Sequence, residues 1–254
     1  MLIGEPPPSQ GDLHFRILGI PVRVHPFFWV VAVLLGLRGS ENRPVELIVW
    51  VAAVFASILV HEMGHALMAK SFGWQPWVTL YSFGGLASYN ATHHDSRSRI
   101  VVSAAGPGAG FLFIGLVMAL VHASGHTVSV ERANLLPYWV FYDYFGGGQP
   151  NNLDILIMDL LYINIFWGLV NLLPVYPLDG GQIARELFMH GNPQEGIKQS
   201  LWLSIFTGAG LAIFGAVTMK SIFMALFFGY MAYTSYAMLQ MYSGRGPGLG
   251  GPRW

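Results

Sequence analysis

The sequence predicts an α-helical polytopic membrane protein with about six transmembrane helices and a small β-sheet or hairpin near the cytoplasmic face. Three observations predict it. The chain is 54% hydrophobic and only 10% charged, whereas a soluble domain carries about 25% charged residues. Long apolar stretches recur along it, several near the roughly 20 residues that a helix needs to cross a bilayer. Between them, two short alternating segments carry turn signals at Gly19-Ile20-Pro21 and Gly84-Gly85, the second suited to a tight hairpin.

The elements follow in order. Residues 1–12 form a polar, proline-rich N-terminal segment without the apolar core of a signal peptide. Leu13 to His25 alternates as strands do. Spans are predicted at Pro26–Leu37 (short), Leu47–Lys70, Ile100–Ala123, Ile155–Leu173, Leu201–Met219 and Ser221–Tyr242. Trp77–Phe83 and Leu86–Tyr89 flank the Gly84-Gly85 turn. The loop from about Ser124 to Asp154 is too short for an appended soluble domain. Its aromatic stretch Tyr138 to Phe145 reads as an interface belt or a re-entrant segment. The glycine-rich tail 243–254 reads as flexible. Residues 1–254 are therefore expected to form a single integral membrane domain.

Charge orients the chain. Six spans would put both termini and the loops after spans two and four on one side. That side carries nine cationic residues: Arg16, Arg23, Lys70, Arg97, Arg99, Arg185, Lys198, Arg245 and Arg253. The other carries four: Arg38, Arg43, Arg132 and Lys220. The excess predicts a cytoplasmic N-terminus. A formal net charge of zero without any charge run gives no sign of nucleic-acid binding. The absence of cysteine excludes disulfides and a thiolate zinc site.

One stretch breaks the apolar pattern. His61-Glu62-Met63-Gly64-His65 lies inside the second span, where ionisable side chains are costly and mark function by default. Positions i and i+4 of a helix point the same way, so His61 and His65 can bind one metal ion, with Glu62 beside it rather than on it, the H-E-x-x-H arrangement of zinc hydrolases. A third ligand is available in Asp179. It follows Asn171-Leu172-Leu173-Pro174-Val175-Tyr176-Pro177-Leu178, where two prolines predict that the fourth span unwinds. Two histidines and a carboxylate leave an open zinc position for water, the pattern of a catalytic site. Asn164 and Asn171 are seven apart and share a helix face. Asn171 can hydrogen-bond a scissile carbonyl or its oxyanion, and Asn164 either contacts substrate or bonds a neighbouring helix. Trp77–Phe83 offers a strand for an unwound substrate to pair with, with Gly84 and Gly85 as further candidate substrate contacts.

With these pieces in place, the chain resembles the site-2 protease family of intramembrane zinc metalloproteases. The resemblance rests on His61-Glu62-Met63-Gly64-His65 and on Asn171 through Gly181. It extends to Gly19-Ile20-Pro21-Val22 and Gly106-Pro107, and so covers roughly Leu13 to Phe188. It implies His61, His65 and Asp179 as ligands of one Zn2+ per chain, Glu62 as general base, and Asn171 as a substrate-orienting residue. It also implies a three-helix catalytic core made of spans two to four. One departure is Gly110, where many relatives carry asparagine. The resemblance is to a minimal member, expected without the regulatory domains that some relatives carry. The resemblance implies peptide-bond hydrolysis within the membrane, on single-span proteins already cut by another protease. Two other classes stand against this reading: a metal-ion transporter and a catalytically inactive membrane scaffold.

Overall fold

Every long apolar stretch is helical, because a chain in hydrocarbon must satisfy its own backbone hydrogen bonds. The computed structural model describes residues 5–37, 44–82, 84–91, 95–126, 128–132, 138–142, 145 and 150–243. The helices are α1 (Pro26–Gly36), α2 (Pro44–Ser71), α3 (Ser96–Ala123), α4 (Asn152–Asn171), α5 (Asp179–Met189), α6 (Pro193–Val217) and α7 (Ile222–Tyr242). The strands are β1 (Leu13–Ile17), β2 (Ile20–Val24), β3 (Gln75–Tyr81), β4 (Gly84–Asn90), β5 (Val128–Arg132) and β6 (Tyr138–Tyr142).

Among the described residues five helices, α2, α3, α4, α6 and α7, are long and apolar enough to cross a membrane. The expectation of six is corrected at α1. Its 11 residues rise about 16 Å, half of a hydrocarbon core about 30 Å thick. Helix α5 was not foreseen. It is short and carries Asp179, Gln182, Arg185 and Glu186, so hydropathy does not reveal it. His93 and His94 of the polar loop before the third span, to which the sequence assigns no role, lie outside the described residues, as does the tail after Ser243.

The chain divides into two compact units, one gathering the described residues of 5–91 and 105–169, the other those of 95–104 and 170–243. In the first, a four-stranded sheet runs in the order β1-β2-β3-β4. The outer pairs are antiparallel hairpins, and β2 lies parallel to β3 with Arg23 opposite Thr79. Parallel strands need a crossover, here supplied by α1 and α2. These two helices run antiparallel: Phe28 meets Phe55, and Trp50 Nε1 donates to the Ala32 carbonyl at 3.1 Å. One sheet face, with Ile20, Val22, Val24, Val78 and Leu80, shares a core with Phe28 and Ala32 of α1 and with Val54, Ile58 and Ala66 of α2.

One strand expectation changes, and one stretch without an expected element contains a strand. Trp77–Phe83 was expected to be free for pairing, but β3 is bonded on both sides, and the sheet's edges are β1 and β4. Part of the aromatic stretch Tyr138 to Phe145 is strand: β6 pairs antiparallel with β5. In the second unit, Val175, Leu178, Phe228 and Met231 form a core. Helix α6 is capped by Asn192, which accepts from the amides of Gln194 and Glu195, and α7 by Ser221, which accepts from Met224.

Candidate metal centre

Helix α2 is 28 residues long and uninterrupted, so its geometry alone sets the spacing of His61 and His65, one turn apart. Both are buried, at 4% and 7% exposure. Their Nε2 atoms lie 3.2 Å apart with the rings edge to face. Two nitrogens at about 2.05 Å from one tetrahedral zinc would lie about 3.3 Å apart, so the pair matches the bite that such an ion requires. Glu62 is buried between them in sequence.

Glycines let neighbouring elements reach these side chains. Gly85 of β4 backs onto Glu62: a β-carbon there would overlap the Glu62 carboxyl, 2.8 Å from Oε1 and closer still to the carbons. On α3, a β-carbon at Gly106 would overlap the His65 imidazole, and one at Gly64 would strike Ala105 and Ala109. Gly64 and Gly106 therefore allow α2 and α3 to approach at the level of the motif. Read from sequence, Gly106 is half of a small-residue packing pair with Gly110; its contact with His65 is legible only in three dimensions. Gly84 lies over the Trp167 ring, where a β-carbon would be 3.3 Å away.

Asn164, a candidate substrate contact, is buried and commits both amide hydrogens within the fold. One goes to Ser57 Oγ of α2 and one to the Leu160 carbonyl, each at 2.8 Å. Gly110, the departure from the family pattern, faces this amide: a β-carbon there would be 3.3 Å from Asn164 Oδ1. Ser57 lies one turn before His61 on α2. A hydroxyl within an apolar run is the one signal of this contact that the sequence carries.

Asn171 and Asp179 belong to the other unit. Asn171 is the last residue of α4 and Asp179 the first of α5; both are buried. Between them the chain is irregular, as Pro174 and Pro177 predict. Its backbone is met from outside: Ser204 Oγ of α6 accepts from the Tyr176 amide at 3.0 Å, and Ser235 Oγ of α7 donates to the Tyr176 carbonyl at 3.5 Å. Gly180 and Gly181 pack directly beneath. Added β-carbons would overlap the Leu172 and Leu173 carbonyls and the backbone of Val175 and Tyr176. The first turn of α5 thus presents Asp179 at its amino end, where the helix dipole favours a carboxylate. His61, His65 and Asp179 are three buried donors of the kind that hold a metal ion.

Comparison with known proteins agrees with this donor chemistry. The sequence profile of peptidase family M50 matches residues 49–213, and the chain belongs to that family, the site-2 proteases. A protein named zinc metalloprotease in Methanocaldococcus jannaschii is 28% identical over 214 residues, covering 82% of this chain and 55% of its own length. Stage IV sporulation protein FB of Bacillus subtilis is 29% identical over 198 residues, covering 74% and 57%. The chain therefore spans about half the length of these curated relatives. The solved site-2 protease from Methanocaldococcus jannaschii shares the fold, with a TM-score of 0.56 and 23% identity over 90% of this chain and 95% of that one.

Proposed function

We propose that this chain is a zinc-dependent intramembrane endopeptidase that cleaves transmembrane segments of other membrane proteins. The observation that carries the reading is the buried His61–His65 pair, 3.2 Å between ring nitrogens, with Glu62 beside it in an apolar helix. Membership of peptidase family M50 and relatives named zinc metalloprotease support it.

His61, His65 and Asp179 would hold the zinc, leaving its fourth position open. When bound, zinc supplies Lewis acidity and a water acidic enough to attack near neutral pH. Glu62 accepts a proton from the attacking water and returns it to the departing amine. Asn171 donates a hydrogen bond to the scissile carbonyl as negative charge develops there. A peptide bond within a membrane helix is already hydrogen-bonded, so the substrate must unwind before attack. Strand β4 is the natural receiver. It ends the order β1-β2-β3-β4 among the described residues, and its Gly85 lies against Glu62, so an unwound segment can add to it as a further strand.

The substrates on this reading are single-span proteins trimmed beforehand by another protease, such as an anti-sigma factor or a membrane-tethered regulator. The nine-to-four distribution of Lys and Arg supports a cytoplasmic site. Because β2 and β3 are parallel neighbours in one sheet, α1 and α2 leave that sheet and return to it, which keeps Arg16, Arg23 and Lys70 on one side.

The deciding experiment compares the unmodified chain with Glu62→Gln in proteoliposomes containing a single-span substrate. Both should hold about one zinc, while cleavage by the variant falls about 10²–10⁴-fold. Loss of zinc from the variant would make Glu62 a ligand, and undiminished cleavage would remove it from the chemistry.

A further inference from the structure

The sheet's second face carries chemistry that proteolysis does not use. Register puts His14 opposite Arg23, Arg16 opposite Pro21, and Arg23 opposite Thr79. These side chains, with Trp77, therefore share the face turned away from the apolar core. They line a cleft of about 630 Å³ together with Glu5. The Glu5 carboxylate enters this cleft, accepts from Thr79 Oγ1 at 2.7 Å and Trp77 Nε1 at 3.2 Å, and forms an ion pair with Arg23 Nη2 at 3.4 Å. Arg23 also donates to the Pro6 carbonyl at 2.6 Å, and pairs with Asp12 at 3.4 Å. Prolines 6, 7 and 8 follow Glu5. They have no amide hydrogen to add to a sheet and favour an extended conformation, so recognition falls to the acidic side chain and the carbonyls.

Arg23 is not used to its capacity. Its Nε is buried and has no hydrogen-bond partner among the described residues. A carboxylate set against the guanidinium edge would take Nε and Nη2 together, the stronger bidentate arrangement, whereas Glu5 reaches Nη2 alone at a long distance. Buried unpaired donors are rare and need an explanation. We propose that this face is a docking site for an extended acidic peptide, with Arg23, Thr79 and Trp77 as its carboxylate receptor. Glu5-Pro6-Pro7-Pro8 is its weaker occupant in cis. The tether from Pro6 to Asp12 gives Glu5 a local concentration on the order of millimolar, so a peptide in trans competes poorly until Glu5 is neutralised.

The test uses the full chain in neutral detergent and a labelled peptide, acetyl-Gly-Glu-Pro-Pro-Pro-amide, with fluorescence anisotropy as readout. It needs no cleavage, so its outcome is independent of the proteolytic reading. Glu5→Gln should bind the peptide at least about tenfold more tightly than the unmodified chain, as expected when a millimolar internal competitor is removed. Adding Arg23→Gln or the near-isosteric Thr79→Val to that variant should abolish the gain, as should a glutamine in place of the peptide's glutamate. The thermal midpoint of each variant identifies any that has failed to fold, and Thr79→Val serves if Arg23→Gln does so. Equal binding by all folded variants would overturn the proposal, and so would no binding by Glu5→Gln, which would leave Glu5 a structural tether. Binding of a short-chain anionic lipid without the peptide would assign the face to lipid and overturn it equally.

Discussion

His61, Glu62 and His65 sit on an unbroken helix that satisfies its own backbone, whereas Asn171 to Asp179 spans a break that depends on its neighbours. In the first region one turn of α2 fixes the separation of two imidazoles, and the surroundings need only stay out of the way, which Gly85, Gly106 and Gly64 ensure. In the second, Pro174 and Pro177 remove backbone donors. What remains makes only short turn bonds of its own, from Leu173 to Val170, Val175 to Leu173 and Leu178 to Val175, and leans otherwise on Ser204, Ser235 and the close packing of Gly180 and Gly181. The helical region should therefore fail through loss of ligands or intrusion of bulk, and the broken region through loss of support.

The largest effect expected from this contrast is at the ligands. His65→Ala should lose most of its zinc and all measurable cleavage, because one of three protein ligands is gone. Gly106→Val tests the same point without touching a ligand, since its side chain would occupy the space of the His65 ring. It should lose zinc comparably, by elemental analysis of purified protein. Full zinc in Gly106→Val would mean that α3 can retreat and that the glycine merely eases packing.

Asn171→Ala comes next. With the amide removed and the zinc site intact, turnover should fall about 10²–10³-fold, as when other oxyanion donors are deleted. Single-turnover cleavage and zinc content measured on the same sample separate this from collapse of the site. Near-normal turnover in a destabilised protein would give Asn171 a packing role like that of Asn164.

The two regions also differ in how far the sequence reveals them. The histidine pair is legible because helix periodicity converts spacing directly into geometry: positions 61 and 65 can face one ion only on an α-helix. The break after Asn171 is legible in its prolines. Its supports are not, because Ser204 and Ser235 lie roughly 30 and 60 residues further along and look like ordinary small polar residues of apolar helices. Helix α5 escaped for a related reason: its 11 residues are amphipathic, and hydropathy weighs average composition. The sheet's edge is not legible, because alternation identifies strands without ordering them. The parallel β2–β3 pairing, which buries β3 between two neighbours, follows from the α1–α2 crossover and cannot be read within either strand. Asn164 shows the remaining limit. Its place on a helix face is predictable, but Ser57, 107 residues away, decides what that face meets.

The smallest effects compare the two hydroxyls that serve these regions. Ser204→Ala leaves the Tyr176 amide without its acceptor in a segment that has no helix to fall back on. An unmet donor costs about 1–3 kcal/mol when buried, and this part-buried amide should approach the lower end, so the variant should unfold measurably earlier in a denaturant titration in mixed micelles. Ser57→Ala removes the acceptor of one Asn164 hydrogen, while the other remains on the Leu160 carbonyl and α2 keeps every backbone bond. Interhelical hydrogen bonds in membrane proteins average about 0.6 kcal/mol, and this loss should be of that order. If support from outside is what distinguishes the broken segment, Ser204→Ala must be the more costly of the two. A Ser57→Ala variant that is equally or more destabilised would show that α2 depends on its neighbours as much as the break does.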